Sequence, residues 1–162
     1  MIVGRHDGAP STLEFVSHDG LFTPLFTFDG ASPVGQGPKG LMRARDGSLR
    51  GYTRNGGAHG HGALFRAAAD GAVTRVADLS APLCGPLTEA QDGQWYGFVC
   101  DGDTTAIGRI AATGEVSRLH TFSGARLTPF QLLEHRPNRF YGVTWSGGNH
   151  GLGSIYEMVV TP

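Results

Sequence analysis

This sequence repeats itself, and the repeat limits what the chain can fold into more than any single motif does. Three eight-residue segments follow the turn glycines Gly20, Gly71 and Gly114: LFTPLFTF, AVTRVADL and EVSRLHTF. Position two is Phe22, Val73 or Val116; position five is Leu25, Val76 or Leu119; position eight is Phe28, Leu79 or Phe122. A second block reads LMRARDGSLRG, LTEAQDGQWYG and LLEHRPNRFYG, and it ends on the anchor glycines Gly51, Gly97 and Gly142. With Gly4 of the N-terminal IVG as a further copy, the anchors are spaced by 47, 46 and 45 residues. A third block contains LEFV, LFRA, IGRI and IYEM.

Each block has the length and the β-branched or aromatic content of a strand, and Asp-Gly pairs punctuate the joins. Asp19-Gly20, Asp46-Gly47, Asp70-Gly71 and Asp92-Gly93 read as two-residue hairpin turns with positive φ at both central residues. No window shows a helical period, so the chain is all-β. Four strands in a unit of roughly 40 to 50 residues are the pattern of a propeller blade. The segment DGASPVGQGPKG, residues 29–40, reads as the longest connection and crosses between units. The expected architecture is one domain, a β-propeller-type assembly of about three and a half four-stranded repeats. Its units are 1–40 (partial, with linker), 41–79, 80–122 and 123–162 (partial).

The combined pattern is L-x-x-x-x-D-G-x-[FLW]-Y-G-x-T-x-x-G-G-x-x-x-x-G-x-[IL]-[FY], then D-G-x-[VL]-T-x-L. It resembles the GloVer tandem repeat of bacterial surface and secreted proteins. The resemblance covers nearly the whole chain and is strongest at Leu41–Leu79 and Phe140–Met158. It weakens in GRHDGAPSTLEF and GFVCDGDTTAIGRI, where the glycine loop is shortened or lost. It implies propeller blades, a role in adhesion or display, and a surface or secreted location. It brings no catalytic residues.

Composition narrows the partners. The net charge is -1, with 17% charged residues, which argues against nucleic acid because such domains carry a basic excess. The start MIVGRHDGAP has neither the basic region nor the apolar run of a signal peptide. No stretch is long and apolar enough to span a membrane, so the default expectation is a cytoplasmic protein without membrane insertion. Cys84 and Cys100 flank one hairpin; a bridge is geometrically open to them, but the expectation is two half-buried thiols.

About fourteen strands leave a ragged count: the leading L-x-x-x strand and a trailing V-T-x-L strand are missing. Either one chain closes as a small ring of four sheets, or two copies complete each other as a homodimer, which is the reading favoured here.

The glycine runs TRNGGAHGHGAL and TWSGGNHGLGSI raise the question of a site. Gly56, Gly57, Gly60 and Gly62 match Gly147, Gly148, Gly151 and Gly153, and His59 matches His150. Turn chemistry alone explains the glycines. His59, His61 and His150 lack the spacing of a metal set, so neither a metal nor a cofactor is expected. No nucleophile elbow or equivalent motif is present, and no catalytic residue is assigned. A lyase or hydrolase would need a rim histidine, His59 or His150, working with Glu157 or Arg54. Three residues beyond each anchor glycine the side chain varies: Asp7, Arg54, Cys100 and Trp145. The candidate ligand-binding residues are therefore Arg54, Asn55, His59, His61, Trp145, Asn149 and His150. Planar groups beside amides suit a carbohydrate, in the manner of a lectin, or a protein surface. Trp145 is equally readable as a core aromatic between blades. A purely structural role through the incomplete edges is the remaining alternative.

Overall fold

A computed structural model describes residues 10–68, 70–122 and 129–161, without the side chains of residues 129 and 130. The Gly4 strand and Asp7 lie outside the described residues. All regular structure among the described residues is strand, arranged in antiparallel sheets. The chain divides into two compact units, Met1–Ser80 and Ala81–Pro162.

In the first unit, β1 (Ser11–Val16) pairs with β2 (Phe22–Phe28). The strands β3 (Gln36–Arg43), β4 (Leu49–Asn55), β5 (Ala63–Ala67) and β6 (Val73–Asp78) form a four-stranded meander in that order. In the second unit, β7 (Leu83–Glu89), β8 (Trp95–Asp101), β9 (Thr104–Ile110) and β10 (Val116–Phe122) form a second four-stranded meander. The last sheet is three-stranded: β11 (Pro129–Arg136), β12 (Arg139–Thr144) and β13 (Ser154–Val159). The repeat units thus appear as sheets.

Three expectations change. The linker is shorter than expected, because β3 begins at Gln36 inside the segment assigned to it. The β12–β13 connection, residues 145–153, is longer than the inter-sheet segment 29–35. The Asp-Gly turns are also of another kind. Gly47 N–H donates to the Ala44 carbonyl and Ala44 N–H to that of Ser48, and the same pair of bonds recurs around Gly20, Gly71, Gly93 and Gly114. Only the glycine takes positive φ, +81° at Gly47; the sole non-glycine with positive φ among the described residues is Asn138. This is a three-residue loop, a type I turn closed by a glycine bulge. The aspartate's part is to accept a backbone N–H two residues on: Ser48 to Asp46 at 2.9 Å, Ala72 to Asp70 at 3.0 Å, Gln94 to Asp92 at 2.8 Å. That local bond makes aspartate a turn residue without left-handed backbone.

The cysteines are the third change. Cys84 and Cys100 form a disulfide with Cα atoms 5.8 Å apart. Leu83 pairs with Val99 and Cys84 with Phe98, so the two cysteines sit diagonally on neighbouring strands, within bridging range.

Each unit buries its own apolar cluster. In the first, Leu13 and Phe28 pack with Phe65 and Ala67, and the Phe28 and Phe65 rings lie 5.3 Å apart. In the second, Tyr96, Phe98 and Ile107 of one sheet meet Leu132 and Phe140 of the next, with Tyr96 and Phe140 centroids 4.5 Å apart. Burying each such ring contributes roughly 1.5–3 kcal/mol. The anchor glycines have a packing role here. Gly51 lies opposite Phe65 and Gly142 opposite Tyr156, and a Cβ on either glycine would strike the facing ring.

Candidate functional site

The glycine loops join β4 to β5 and β12 to β13, one in each unit. Both close in the same way. Gly62 N–H donates to the Gly56 carbonyl at 2.8 Å and Gly153 N–H to that of Gly147 at 3.0 Å. Gly60 and Gly151 donate to Gly57 and Gly148, each at 3.3 Å. The φ values agree pair by pair: 95°, 71°, 76° and 87° in the first loop, 88°, 70°, 72° and 94° in the second. A Cβ on Gly62 would collide with the Thr53 carbonyl oxygen, and one on Gly153 with that of Thr144. The glycines are what this corner requires.

A threonine at the foot of each loop holds it, and sequence reasoning passed over both. The Thr53 Oγ1, fully buried, donates to the Val34 carbonyl at 2.6 Å and accepts from Ala63 N–H at 2.9 Å. Thr144 Oγ1 accepts from Ser154 N–H at 3.0 Å. The signal was available: the third copy has Val99 at this position, and there β8 and β9 are joined by Gly102 and Asp103 alone.

The candidate side chains fall into two sets. Arg54, Asn55, His59 and His61 belong to the first unit; Trp145, Asn149 and His150 belong to the second. His59 and His150 are exposed at the same loop position, and His61 forms a bridge with Gly56. No group of three or more His, Cys, Asp or Glu able to hold a metal occurs among the described residues. Beside the first loop lies an open polar groove of about 730 Å³, walled by Asp29, Ser32, Gln36, Arg75, Asp78 and the backbone of residues 56–58. Asp78 is ion-paired with Arg75 at 3.1 Å. None of the four candidates of this unit lines that groove. Burial pushes the Tyr52 phenol up to about 12, opposed by the nearby Arg54 charge.

In the second unit Trp145 is 68% exposed, which decides against a core aromatic. Asn149 and His150 are exposed in the same loop. Glu157 is held by Arg139 at 3.0 Å and by the Tyr141 hydroxyl at 3.3 Å. Trp145 continues an open face made by Leu133, Tyr141, Val143, Ile155 and Val159. Cross-strand registers make Leu13, Leu64, Ile107 and Ile155 one repeat position. The first three are 3%, 0% and 1% exposed; Ile155 is 79% exposed. Burial along the strands agrees, for β8 is buried over five successive residues whereas β12 alternates. Alternation is the mark of a sheet with one solvent face. The opposite face carries Tyr156, whose Oη is buried without a hydrogen-bond partner and whose pKa burial raises to about 12.

Compared with models of known protein families and with curated proteins, the chain matches none.

Proposed function

We propose that this chain is a non-catalytic recognition module, a β-propeller-type array of GloVer-like repeats that binds protein through the open face of its last sheet. The observation that carries the reading is the single repeat position buried at Leu13, Leu64 and Ile107 and open at Ile155. A sheet of this kind offers the face that its siblings cover. The partner is a second copy of the chain. A two-fold contact is the default for a self-complementary surface, and the Arg139–Glu157 pair leaves the face without net charge. Its six apolar side chains, 36% to 79% exposed, supply the apolar centre for an interface of the ordinary size, ~800 Å² per partner. The Cys84–Cys100 bridge fits an oxidising compartment, in keeping with a surface or secreted role.

Sedimentation velocity across a concentration series tests this. Wild type should move from monomer to dimer, and Ile155→Glu should remain monomeric with unchanged circular dichroism. A wild type that stays monomeric throughout refutes self-recognition. A second reading, a lectin-like site, is favoured by Trp145 beside Asn149 and His150. It requires a saccharide that raises the melting temperature of wild type and not of Trp145→Ala.

A further inference from the structure

The edge of the last sheet, as distinct from its face, has a definite complement. Among the described residues β13 is hydrogen-bonded on one side only, to β12, whereas its repeat equivalents β5 and β9 each carry a fourth strand. The pairing of that fourth strand is the same wherever it occurs. Position two faces Val16, Ala67 or Ile110; position six faces Leu13, Leu64 or Ile107. Between them the register shifts once, so that Leu25, Val76 and Leu119 at position five have no opposite residue. The same frame on β13 places position two at Met158, position four at Tyr156 and position six at Ile155.

What lies beside that edge fits the frame. A cleft of about 380 Å³ runs along β13, lined by Leu119, His120, Phe122, Tyr156, Met158 and Val160 among others. In the first unit the equivalent place is filled by Val73, the position-two residue of β6, packed against the Leu13–Phe28–Phe65–Ala67 cluster. Position four is Arg75 or Arg118 in the complete sheets. The Tyr156 ring at the corresponding place on β13 leans over Gly142 of β12, away from the open edge.

We propose that β13 is an acceptor for strand addition, and that its ligand is an extended segment of a partner protein with the fourth-strand pattern: turn glycine, aliphatic at position two, arginine at four, apolar at eight. Main-chain bonds supply affinity and the cleft supplies selectivity, as in other β-augmentation. This uses the edge, so it stands or falls separately from the face reading.

The probe is a synthetic peptide with the sequence GEVSRLHTF, residues 114–122, added to the intact Leu133→Glu variant, whose change lies in the open face on β11 and away from the β13 edge, so that face pairing does not intervene. The expected result is saturable binding with at least about tenfold slower amide exchange within Ser154–Val159. The same peptide N-methylated at alternate residues should not bind, because it keeps the side chains and loses the strand hydrogen bonds. No binding at millimolar peptide, or binding without protection of β13, overturns the proposal. If β13 amides are protected without peptide, in proportion to protein concentration, a second copy occupies the edge and the proposal also fails.

Discussion

Replacing Gly62 by alanine should cost about 2 kcal/mol more than replacing Gly60, although the two stand two residues apart in one loop. Both have positive φ, +87° and +76°. Around Gly60 there is open space for a methyl group, so Gly60→Ala pays only the left-handed backbone penalty of about 1–2 kcal/mol. At Gly62 the added Cβ would land on the Thr53 carbonyl, and main chain has to move. Two backbone bonds depend on that spot: Gly62 N–H to Gly56 at 2.8 Å, and Leu79 N–H to the Gly62 carbonyl at 3.0 Å. Losing them adds about 1 kcal/mol each, which brings Gly62→Ala to about 3–4 kcal/mol. Urea titration of the two variants measures the difference directly. The second loop offers an internal repeat, because Gly151 is open and Gly153 faces the Thr144 carbonyl; the same ranking should return. Equal costs within a pair would refute the view that these runs are packed corners, and would mean that the glycines serve a mobile segment.

Three further outcomes follow from particular contacts. Thr53→Val should destabilise by about 2–4 kcal/mol, since it leaves the Val34 carbonyl and Ala63 N–H buried and unpaired, while Thr53→Ser should stay near wild type; urea midpoints decide. Reducing the Cys84–Cys100 bridge, with its sequence separation of 16, should remove about 3 kcal/mol, and an unchanged midpoint in reductant would show that the bridge is not formed in solution. Tyr52 is raised from 10.0 to about 12 by burial, so the folded state favours the neutral phenol. Its contribution is complete below pH 10, where both states are protonated, and is lost as pH rises through the window to 12, where only the unfolded chain ionises. At pH 11 the loss is about 1.4 kcal/mol, and Tyr52→Phe should remove that part of the alkaline slope in stability measured from pH 9 to 11.

The sheets were legible in the sequence because strand pairing inside a meander is local: each apolar run meets the next one along the chain. The equivalence of the two glycine loops was legible for a related reason, since only glycine takes those backbone angles and its spacing records them. The turn type was not, because Asp-Gly serves a two-residue turn and a bulged three-residue turn alike, and only the hydrogen bonds of Ala44, Gly47 and Ser48 tell them apart. The disulfide depended on a register shift between Cys84 and Thr88, which spacing does not reveal. The contrast between Ile107 and Ile155 was hidden for a deeper reason. The two residues occupy one repeat position, and their different exposure comes from what stands beyond their sheets.

The third repeat shows what the glycine loop contributes by lacking it. Where the foot residue is Thr53 or Thr144, the chain leaves the sheet, turns through four glycines and returns under a hydroxyl that bonds the first returning amide. Where the foot residue is Val99, Asp101 pairs straight to Thr104 and the hairpin needs only Gly102 at positive φ. The neighbouring strands keep the same pairing in both cases: Gly51 opposite Phe65, Gly97 opposite Gly108, Gly142 opposite Tyr156. The loop is therefore an insert that the sheet tolerates at a fixed place, and the threonine hydroxyl is required only when the insert is present. The side chain at its exposed position before the histidine, Ala58 in one loop and Asn149 in the other, changes without disturbing either the corner or the sheet. A frame that holds its backbone and frees its surface residues in this way is what the proposed recognition role needs.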